Sequence, residues 1–113
     1  MKIMTISRTK DSYIMLPAAM ALRIVEGTDA FVNKYRKAGK CKEIYNAPGL
    51  KMTVSIWEME SAEELTRLFL ENPMYPFMEV ESYILGDWDS FIKVWKETVE
   101  RRYRTGRARR GNG

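Results

Sequence analysis

The chain has 113 residues, 45% of them apolar and 30% charged, with no histidine and a single cysteine. A length of this order fits one folded domain, and the composition is ordinary for a globular protein. Without imidazole, His-dependent triads and most zinc and haem ligand sets are excluded. With only Cys41 available, neither an internal disulfide nor a metal site is expected. No apolar run reaches the roughly 18 residues of a membrane span and no signal-peptide pattern opens the chain, so we predict a cytoplasmic protein.

The formal net charge of +4 comes from the C-terminal end of the chain. The last thirteen residues hold six arginines and no acidic residue, whereas the rest of the chain has thirteen basic against fifteen acidic residues. A basic tail on a mildly acidic body is compatible with contact to nucleic acid or to an acidic surface. Tyr103 alone does not provide the aromatic platform of a single-strand binder. We therefore predict that residues 104–113 form a basic, disordered tail, and we expect no nucleic-acid partner.

Two predicted strands, over residues 2–8 and 50–59, alternate between apolar and short polar side chains. An apolar face is expected to lie under a helix layer. A face of Thr and Ser beside a Trp suits the lining of a cavity better than a solvated surface, which would carry longer charged side chains. The residues expected under the helices are Met4, Ile6, Met52, Val54 and Ile56, and those expected on the opposite face are Thr5, Ser7, Thr53, Ser55 and Trp57.

A long helix is predicted over residues 17–38, with Gly39 as its C-cap. Gly27 interrupts the helical pattern, where it costs about 1 kcal/mol relative to Ala. We favour a kink or close packing on the sheet as its reason. The alternative is a ligand that approaches the backbone beside Glu26 and Asp29.

Turn and cap signals divide the rest of the chain. Pro48 and Gly49 predict a hairpin turn, and Ser61 followed by Glu64 predicts a capping box at the start of a helix. Pro73 ends that helix. The further predicted elements are strands over 41–46 and 50–59, a helix over 61–71, a strand over 77–85 and a helix over about 87–103.

This order, β-α-β-β-α-β followed by a helix, predicts an α+β domain of ferredoxin-like type over residues 1–103. Both main helices are expected on one face of a four-stranded antiparallel sheet. The other face, with Trp57 and Tyr83, is expected to pair with a second copy and close a dimeric α/β barrel. The final helix carries an apolar stripe that must be buried at the barrel mouth or on another subunit. The stripe consists of Trp88, Phe91, Ile92, Trp95 and Val99.

The stretch from Ala38 to Leu85 resembles the muconolactone isomerase family of dimeric α/β-barrel proteins. Two segments carry the resemblance, Met-Glu-Ser-Ala-Glu-Glu-Leu at 59–65 and Asn-Pro-Met-Tyr-Pro-Phe-Met-Glu-Val-Glu at 72–81. The resemblance implies a cofactor-free isomerase-like pocket, a small organic substrate and assembly into a homodimer or a higher homo-oligomer.

Proton transfer by a carboxylate is the chemistry that fits this resemblance. A lactone double-bond shift removes a proton from one carbon and returns it to another, so one carboxylate can act as base and then as acid. Glu81 and Glu26 are the candidate catalytic carboxylates, with Glu79 as a further option, and burial is expected to raise their pKa. Tyr45 or Tyr83 would donate a hydrogen bond to the developing enolate. The expected substrate-binding residues are Ser7, Thr53, Ser55, Trp57 and Tyr83.

Other interpretations stay open. Glu79 and Glu81 taken singly also fit solvated strand positions or interface ion pairs. Related barrels suggest a cofactor-independent monooxygenase that would use Trp57. A non-catalytic ligand-binding or assembly module would instead use the C-terminal helix and the basic tail. An interior without a ligand-sized cavity would exclude both enzymes, and a cavity with a carboxylate beside a Tyr would favour the isomerase.

Overall fold

The computed structural model describes residues 1–49 and 51–111, with side chains as far as residue 106. Its elements follow the predicted order, with an additional short helix before the long one and a 3-10 turn, Tyr75–Phe77, before the last strand. They are β1 (Lys2–Thr9), α1 (Asp11–Ile14), α2 (Ala18–Lys37), β2 (Cys41–Asn46), β3 (Met52–Glu58), α3 (Ala62–Glu71), β4 (Met78–Leu85) and α4 (Trp88–Gly111). The predicted ferredoxin-like α+β fold is confirmed.

The four strands form one antiparallel sheet in the order β2-β3-β1-β4. Strand β1 is central, and its Thr5 lies opposite Ser55 of β3 on one side and Ser82 of β4 on the other. Opposed residues in an antiparallel pair share a face. This register therefore gathers short hydroxyl side chains on the same face of three strands.

Helices α2 and α3 cover the face of the sheet that carries Trp57. The Trp57 ring lies 6.2 Å from both the Phe31 and the Tyr35 rings of α2, and only 4% of Trp57 is exposed. Burying an aromatic side chain of this size contributes a large share of the stability of a small core. The buried core cluster is Ile3, Phe31, Cys41, Trp57, Met59, Leu65 and Leu68.

The predicted assignment of the two sheet faces is wrong. Thr5 and Ser55 are 2% and 5% exposed and lie under the helices with Trp57. The apolar series that was expected there lies on the uncovered face. Alternation identifies two faces but not which one the helices cover, and here the aromatic residues of α2 pack on Trp57. The residues on the uncovered face include Met4, Ile6, Met52, Val54 and Ile56.

The predicted Ser61 cap is present at the start of α3, and Glu64 reaches back to the N–H of Glu60, the residue before the N-cap, instead of that of Ser61. The Ser61 Oγ accepts a hydrogen bond from the Glu64 backbone N–H at 3.1 Å, and the Glu64 carboxylate accepts one from the Glu60 N–H at 2.8 Å. The same carboxylate forms an ion pair with the Lys40 Nζ at 2.8 Å. These contacts join the start of α3 to the connection between α2 and β2.

Gly27 lies within α2, which runs without a break from Ala18 to Lys37, and its surroundings show close packing. A Cβ at Gly27 would stand 3.0 Å from the Cγ of Pro73, closer than such atoms normally approach. The contact is with the segment that follows α3, and not with the sheet as predicted. The absent side chain lets this segment close over α2.

Helix α4 continues to Gly111, so the end predicted near residue 103 lies within the helix. The predicted disordered tail over 104–113 therefore corresponds to backbone that is helical as far as residue 111, and residues 112 and 113 lie outside the described part of the chain. The apolar stripe of α4 is exposed: Trp88 is 67% and Trp95 55% accessible. Among the described residues, no helix is both long and apolar enough to cross a membrane.

Candidate active site

A cavity of about 460 Å³ lies between the sheet and helices α2 and α3. Its volume falls within the range of roughly 300–1,000 Å³ that is usual for small-molecule sites. The sheet contributes Thr5, Ser7, Thr53, Ser55 and Trp57 to its lining. Because most of these side chains are short, the helices cannot close completely on the sheet at this place.

A hydrogen-bonded network forms the floor of the cavity. The Trp57 indole N–H donates to the Ser55 Oγ at 2.7 Å, and the Ser55 and Thr5 hydroxyl oxygens lie 2.5 Å apart. All three residues are less than a tenth exposed. The network orients the Trp57 ring as one wall of the cavity.

Helix α2 forms the opposite wall. Val25, Asp29, Val32 and Arg36 line the cavity at spacings of four, three and four residues, which places them on one face of a helix. Asp29 is the one carboxylate and Arg36 the one cationic side chain among the described lining residues. They are separated by two helical turns, or roughly 10 Å along the axis.

Thr28 adds a buried hydroxyl to the same wall. Among the described residues, the Thr28 Oγ1 is the buried side-chain oxygen without a hydrogen-bond partner, and Thr28 lines the cavity. Leaving a buried hydroxyl unpaired costs roughly 1–3 kcal/mol. Such a group is stabilised when a ligand supplies the partner.

The structure brings together four of the predicted substrate-binding residues. Ser7, Thr53, Ser55 and Trp57 all line the cavity. Tyr45 also contributes to the lining, but it is 65% exposed, and its hydroxyl donates to the Glu43 carboxylate at 3.4 Å.

The structure does not bring Glu81, Tyr83 or Glu26 to the cavity. Glu81 and Tyr83 pair with Ile6 and Met4 on the uncovered face of the sheet, and Glu26 is an exposed residue of α2 outside the lining. The Glu81 carboxylate accepts hydrogen bonds from Tyr83 and from Arg8, each at 2.6 Å.

The expectation of a raised pKa is wrong for Glu81. The hydrogen bond from the Tyr83 hydroxyl, together with the hydrogen bond and charge of Arg8, lowers the pKa of Glu81 below its ordinary value. The pKa of Tyr83 is raised because its hydroxyl donates to that carboxylate. A carboxylate held ionised in this way is a poor general acid near neutral pH.

The sequence analysis did not single out Thr28, Arg36 or Asn72 as lining residues. It named Asp29 with Glu26, in the alternative in which a ligand approaches the backbone at Gly27. One signal was available in the helical spacing of Val25, Asp29, Val32 and Arg36, where polar residues interrupt an apolar stripe. Asn72 belongs to the segment after α3 that approaches Gly27, and only the tertiary contact reveals that position.

A four-stranded antiparallel sheet with two helices on one face, and a cavity of small-molecule size between the layers, defines a ferredoxin-like α+β protein with an internal pocket. The sequence profile of the muconolactone delta-isomerase family matches residues 6–90. The chain therefore belongs to the muconolactone delta-isomerase family. The first turn of α4 is included in the matched region, and the rest of that helix follows it.

Individual relatives agree with this assignment. The chain is 28% identical to the muconolactone delta-isomerase of Acinetobacter baylyi over 80 residues, which cover 71% of this chain and 83% of the relative. It is 31% identical to the Rhodococcus opacus enzyme of the same name over 64 residues, covering 57% and 69% of the two chains. A crystal structure of muconolactone isomerase superposes with a TM-score of 0.69 at 20% identity, covering 77% of this chain and 90% of that one. The superposition supports the fold.

Proposed function

We propose that this protein is an isomerase that moves a proton between two carbons of a small cyclic or enolisable compound bound between the sheet and α2. The observation that carries the proposal is the cavity with a single carboxylate, Asp29, in its described lining. Membership of the muconolactone delta-isomerase family supports it. A proton shift is redox-neutral, so the chemistry requires no redox cofactor.

Asp29 replaces the carboxylates predicted from the sequence as the proposed base. Its carboxylate would take a proton from a carbon beside a carbonyl group. The electrons of the broken C–H bond would move towards the carbonyl oxygen. The proton would then return to the carbon at the far end of the conjugated system. Base and acid are then the same group, so the reaction ends with Asp29 ionised again. Trp57 and Phe31 line the cavity and would keep the reacting carbons away from water.

Arg36 is the proposed anchor for an acidic group of the substrate. Among the described residues, no carboxylate lies within 4 Å of its guanidinium, so its donors remain available for an anion. Arg36 lies two turns from Asp29. This separation suits a small lactone that carries a carboxylate at one end and an acidic C–H at the other.

The uncovered sheet face supports the proposal of a homodimer. Its centre carries partly exposed aliphatic side chains such as Met4, Ile6, Val54 and Ile56, and an apolar sheet face of this kind normally packs against a second layer. A second copy of the sheet would supply that layer and close a barrel.

The test is solvent-deuterium incorporation into muconolactone as the first substrate, followed by screening of related lactones. Asp29→Asn is expected to lower the rate of exchange by about 10²–10⁴-fold, the usual contribution of a general acid–base group. Glu81→Gln and Glu26→Gln are the competing variants. Exchange that survives in Asp29→Asn and disappears in Glu81→Gln would transfer the role of base to Glu81.

The monooxygenase alternative would depend on Trp57. Its indole N–H is engaged with Ser55, and nothing in the described contacts favours oxygen chemistry over proton transfer. The proposal is therefore restricted to the isomerase.

A further inference from the structure

The hydroxyl network on the sheet contains one more hydrogen than its bonds use. Trp57, Ser55 and Thr5 together carry three polar hydrogens, and two hydrogen bonds join them. Ser55 accepts from Trp57, so the bond between Ser55 and Thr5 can have either residue as its donor. In both arrangements one hydroxyl hydrogen remains unused. Because Thr5 and Ser55 are buried and line the cavity, a ligand there is the natural acceptor.

Thr28 provides a second unused donor. A threonine inside a helix commonly donates to the carbonyl four residues earlier, and two helical threonines of this chain do so. Thr66 donates to Ala62 at 3.1 Å and Thr98 to Val94 at 2.8 Å. Thr28 makes no such bond and is left buried at the cavity. Its conformation therefore keeps the hydroxyl available on the helix side.

We propose that Thr28 and the Thr5–Ser55 pair form a two-donor site for the oxygen of a carbonyl ligand, which they stabilise as that oxygen becomes negatively charged. The role of this site rests on the proposed proton-shift reaction. When Asp29 removes the proton, the C–H electron pair forms the new C=C bond and the carbonyl π electrons move to oxygen. Donors that are already in place for that oxygen stabilise the enolate without reorganisation.

Trp57 is a positioning residue in this arrangement. Its N–H occupies one acceptor site of the Ser55 Oγ, which limits the directions in which the remaining hydroxyl hydrogen can point. Neither predicted tyrosine donor is needed. The Tyr83 hydroxyl is bonded to Glu81 on the other face of the sheet, and the Tyr45 hydroxyl donates to the Glu43 carboxylate. The ligand class that this site recognises is an enolisable carbonyl compound or a phenolate.

The experiment uses para-nitrophenol, whose ionised form is coloured and resembles an enolate. With the full-length protein, the visible spectrum of the bound probe gives its pKa and hence the preference of the site for phenolate over phenol. We expect the wild-type protein to lower the pKa of the bound probe. Thr28→Val should reduce the phenolate preference by roughly tenfold, the effect of losing one hydrogen bond to an anion. Thr5→Val combined with Ser55→Ala should have a similar effect, whereas Thr5→Val alone leaves the Ser55 hydroxyl free to donate. Trp57→Phe should reduce the phenolate preference by about threefold while the affinity for the neutral phenol is kept.

Thr66→Val is the matched control, because it removes a helical hydroxyl outside the cavity. Since Asp29 and Arg36 act on all of these variants alike, differences between the variants report the donors. Equal binding of phenol and phenolate by the wild type, or an unchanged ratio in folded Thr28→Val and in folded Thr5→Val with Ser55→Ala, would overturn the donor site. If the wild-type protein shows the phenolate preference but catalyses no deuterium exchange into any lactone, the proposed isomerase activity is rejected and the donor site is retained.

The exposed apolar stripe of helix α4 supports a second inference, which does not depend on the cavity. The stripe of Trp88, Phe91, Ile92, Trp95 and Val99 continues by one turn to Tyr103, which is counted with the stripe from here on. The rings of Trp88, Phe91 and Trp95 follow one another at centroid distances of 5.5 and 5.6 Å, and the four aromatic residues of the stripe are 51–67% exposed. At about 200 Å² for a whole aromatic side chain, these four expose roughly 500 Å². Two such stripes together reach the roughly 1,000 Å² expected of a specific interface.

The charges of α4 select a direction for such pairing. Residues 87–100 contain four acidic residues and two lysines, whereas residues 101–106 contain three arginines and no acidic residue. Parallel helices would place the arginine ends together, and antiparallel helices place each arginine end beside an acidic start. Pairing centred between Trp95 and Lys96 brings Asp89 to the level of Arg102.

We infer that α4 pairs antiparallel with α4 of a second copy of this chain. The test introduces Ile92→Cys and Val99→Cys separately on the stripe and oxidises with copper phenanthroline; native Cys41 is only 5% exposed. Antiparallel pairing predicts a disulfide mainly between the two different variants when they are mixed, whereas parallel pairing predicts one within each variant alone. Phe91→Asp with Trp95→Asp should lower the molecular mass in sedimentation.

Two results would overturn this pairing. One is efficient crosslinking within each single variant. The other is an unchanged mass in Phe91→Asp with Trp95→Asp. If that mass is unchanged and the wild-type stripe binds anionic phosphatidylserine vesicles, the stripe is a membrane-binding surface and not a contact between two copies. Lys93→Ala, on the polar side of the same helix, is the matched control and should keep the mass of the wild type.

Discussion

At the scale of residues, the cavity separates into two walls of different chemistry. The sheet side presents hydroxyl groups held in a network with Trp57, and the α2 side presents Asp29 and Arg36. A carboxylate and a guanidinium that line one cavity without pairing to each other are each available to a ligand. Because Asp29 and Arg36 are two helical turns apart on α2, we expect the proposed base and the proposed anchor to act on different ends of one bound molecule.

The role proposed for Arg36 can be measured through the substrate. Arg36→Gln removes the charge and part of the hydrogen-bonding fork, so we expect KM for a carboxylate-bearing lactone to rise by roughly 10–100-fold. The methyl ester of the same lactone should show almost no change between wild type and variant, because it has no anion to bind. Steady-state kinetics on the acid and the ester measure both effects. Equal changes in KM for acid and ester would show that Arg36 acts on the shape of the cavity.

At the scale of elements, the start of α3 depends on one carboxylate. The hydrogen bond from Lys40, together with that from the Glu60 backbone N–H, lowers the pKa of Glu64. The same contact with Glu64 raises the pKa of Lys40. A group with a lowered folded pKa stabilises the protein above its unfolded pKa and loses that effect as pH falls. A lysine with a raised folded pKa stabilises the protein below its unfolded pKa, and this contribution is lost as pH rises through the folded pKa.

We therefore expect Glu64→Gln to flatten the pH dependence of stability at both ends. In the wild type, the Glu64 contribution to the free energy of unfolding should be complete well above the ordinary Glu pKa of 4.5 and decline as pH falls below it. The Lys40 contribution should decline above its ordinary pKa of 10.5. Urea denaturation at a series of pH values measures both limbs. Glu63→Gln, one residue away on the same helix turn, is the control, and an identical pH profile for wild type and Glu64→Gln would contradict the prediction.

At the scale of the whole molecule, the described part of the chain leaves two apolar surfaces uncovered, the sheet face around Val54 and the stripe of α4. They belong to different parts of the chain, because the family match ends at residue 90 and α4 runs on to Gly111. If each surface pairs with another copy, the two contacts together would generate assemblies larger than a dimer.

Val54→Lys tests the sheet contact. A lysine at the centre of this face would place a charge in the proposed barrel. We therefore expect the Kd of the dimer that pairs through the sheet to rise by one to several orders of magnitude. Sedimentation equilibrium measures the shift. Leu70→Lys is the matched control, since Leu70 is an apolar residue of α3 that is 71% exposed. The Val54→Lys substitution is made together with Phe91→Asp and Trp95→Asp, so that pairing through α4 is removed, and a protein that stays dimeric in this background would show that the sheet face is not the interface.

The sequence by itself determined the order of elements and the fold class. Periodicity, the turn at Pro48 and Gly49 and the capping box at Ser61 are local signals, and local signals survive without knowledge of the tertiary structure. The pairing of short polar residues with Trp57 also predicted a cavity lining, and the five residues predicted for it, Thr5, Ser7, Thr53, Ser55 and Trp57, line the observed cavity.

Only the tertiary structure decided which side of the sheet holds that cavity. Alternation along a strand is symmetric with respect to its two faces, and the packing of Phe31 and Tyr35 on Trp57 breaks the symmetry. The same packing sets Glu81 and Asp29 on opposite sides of the sheet. Sequence spacing cannot report that separation, since it arises from contacts between residues far apart in the chain.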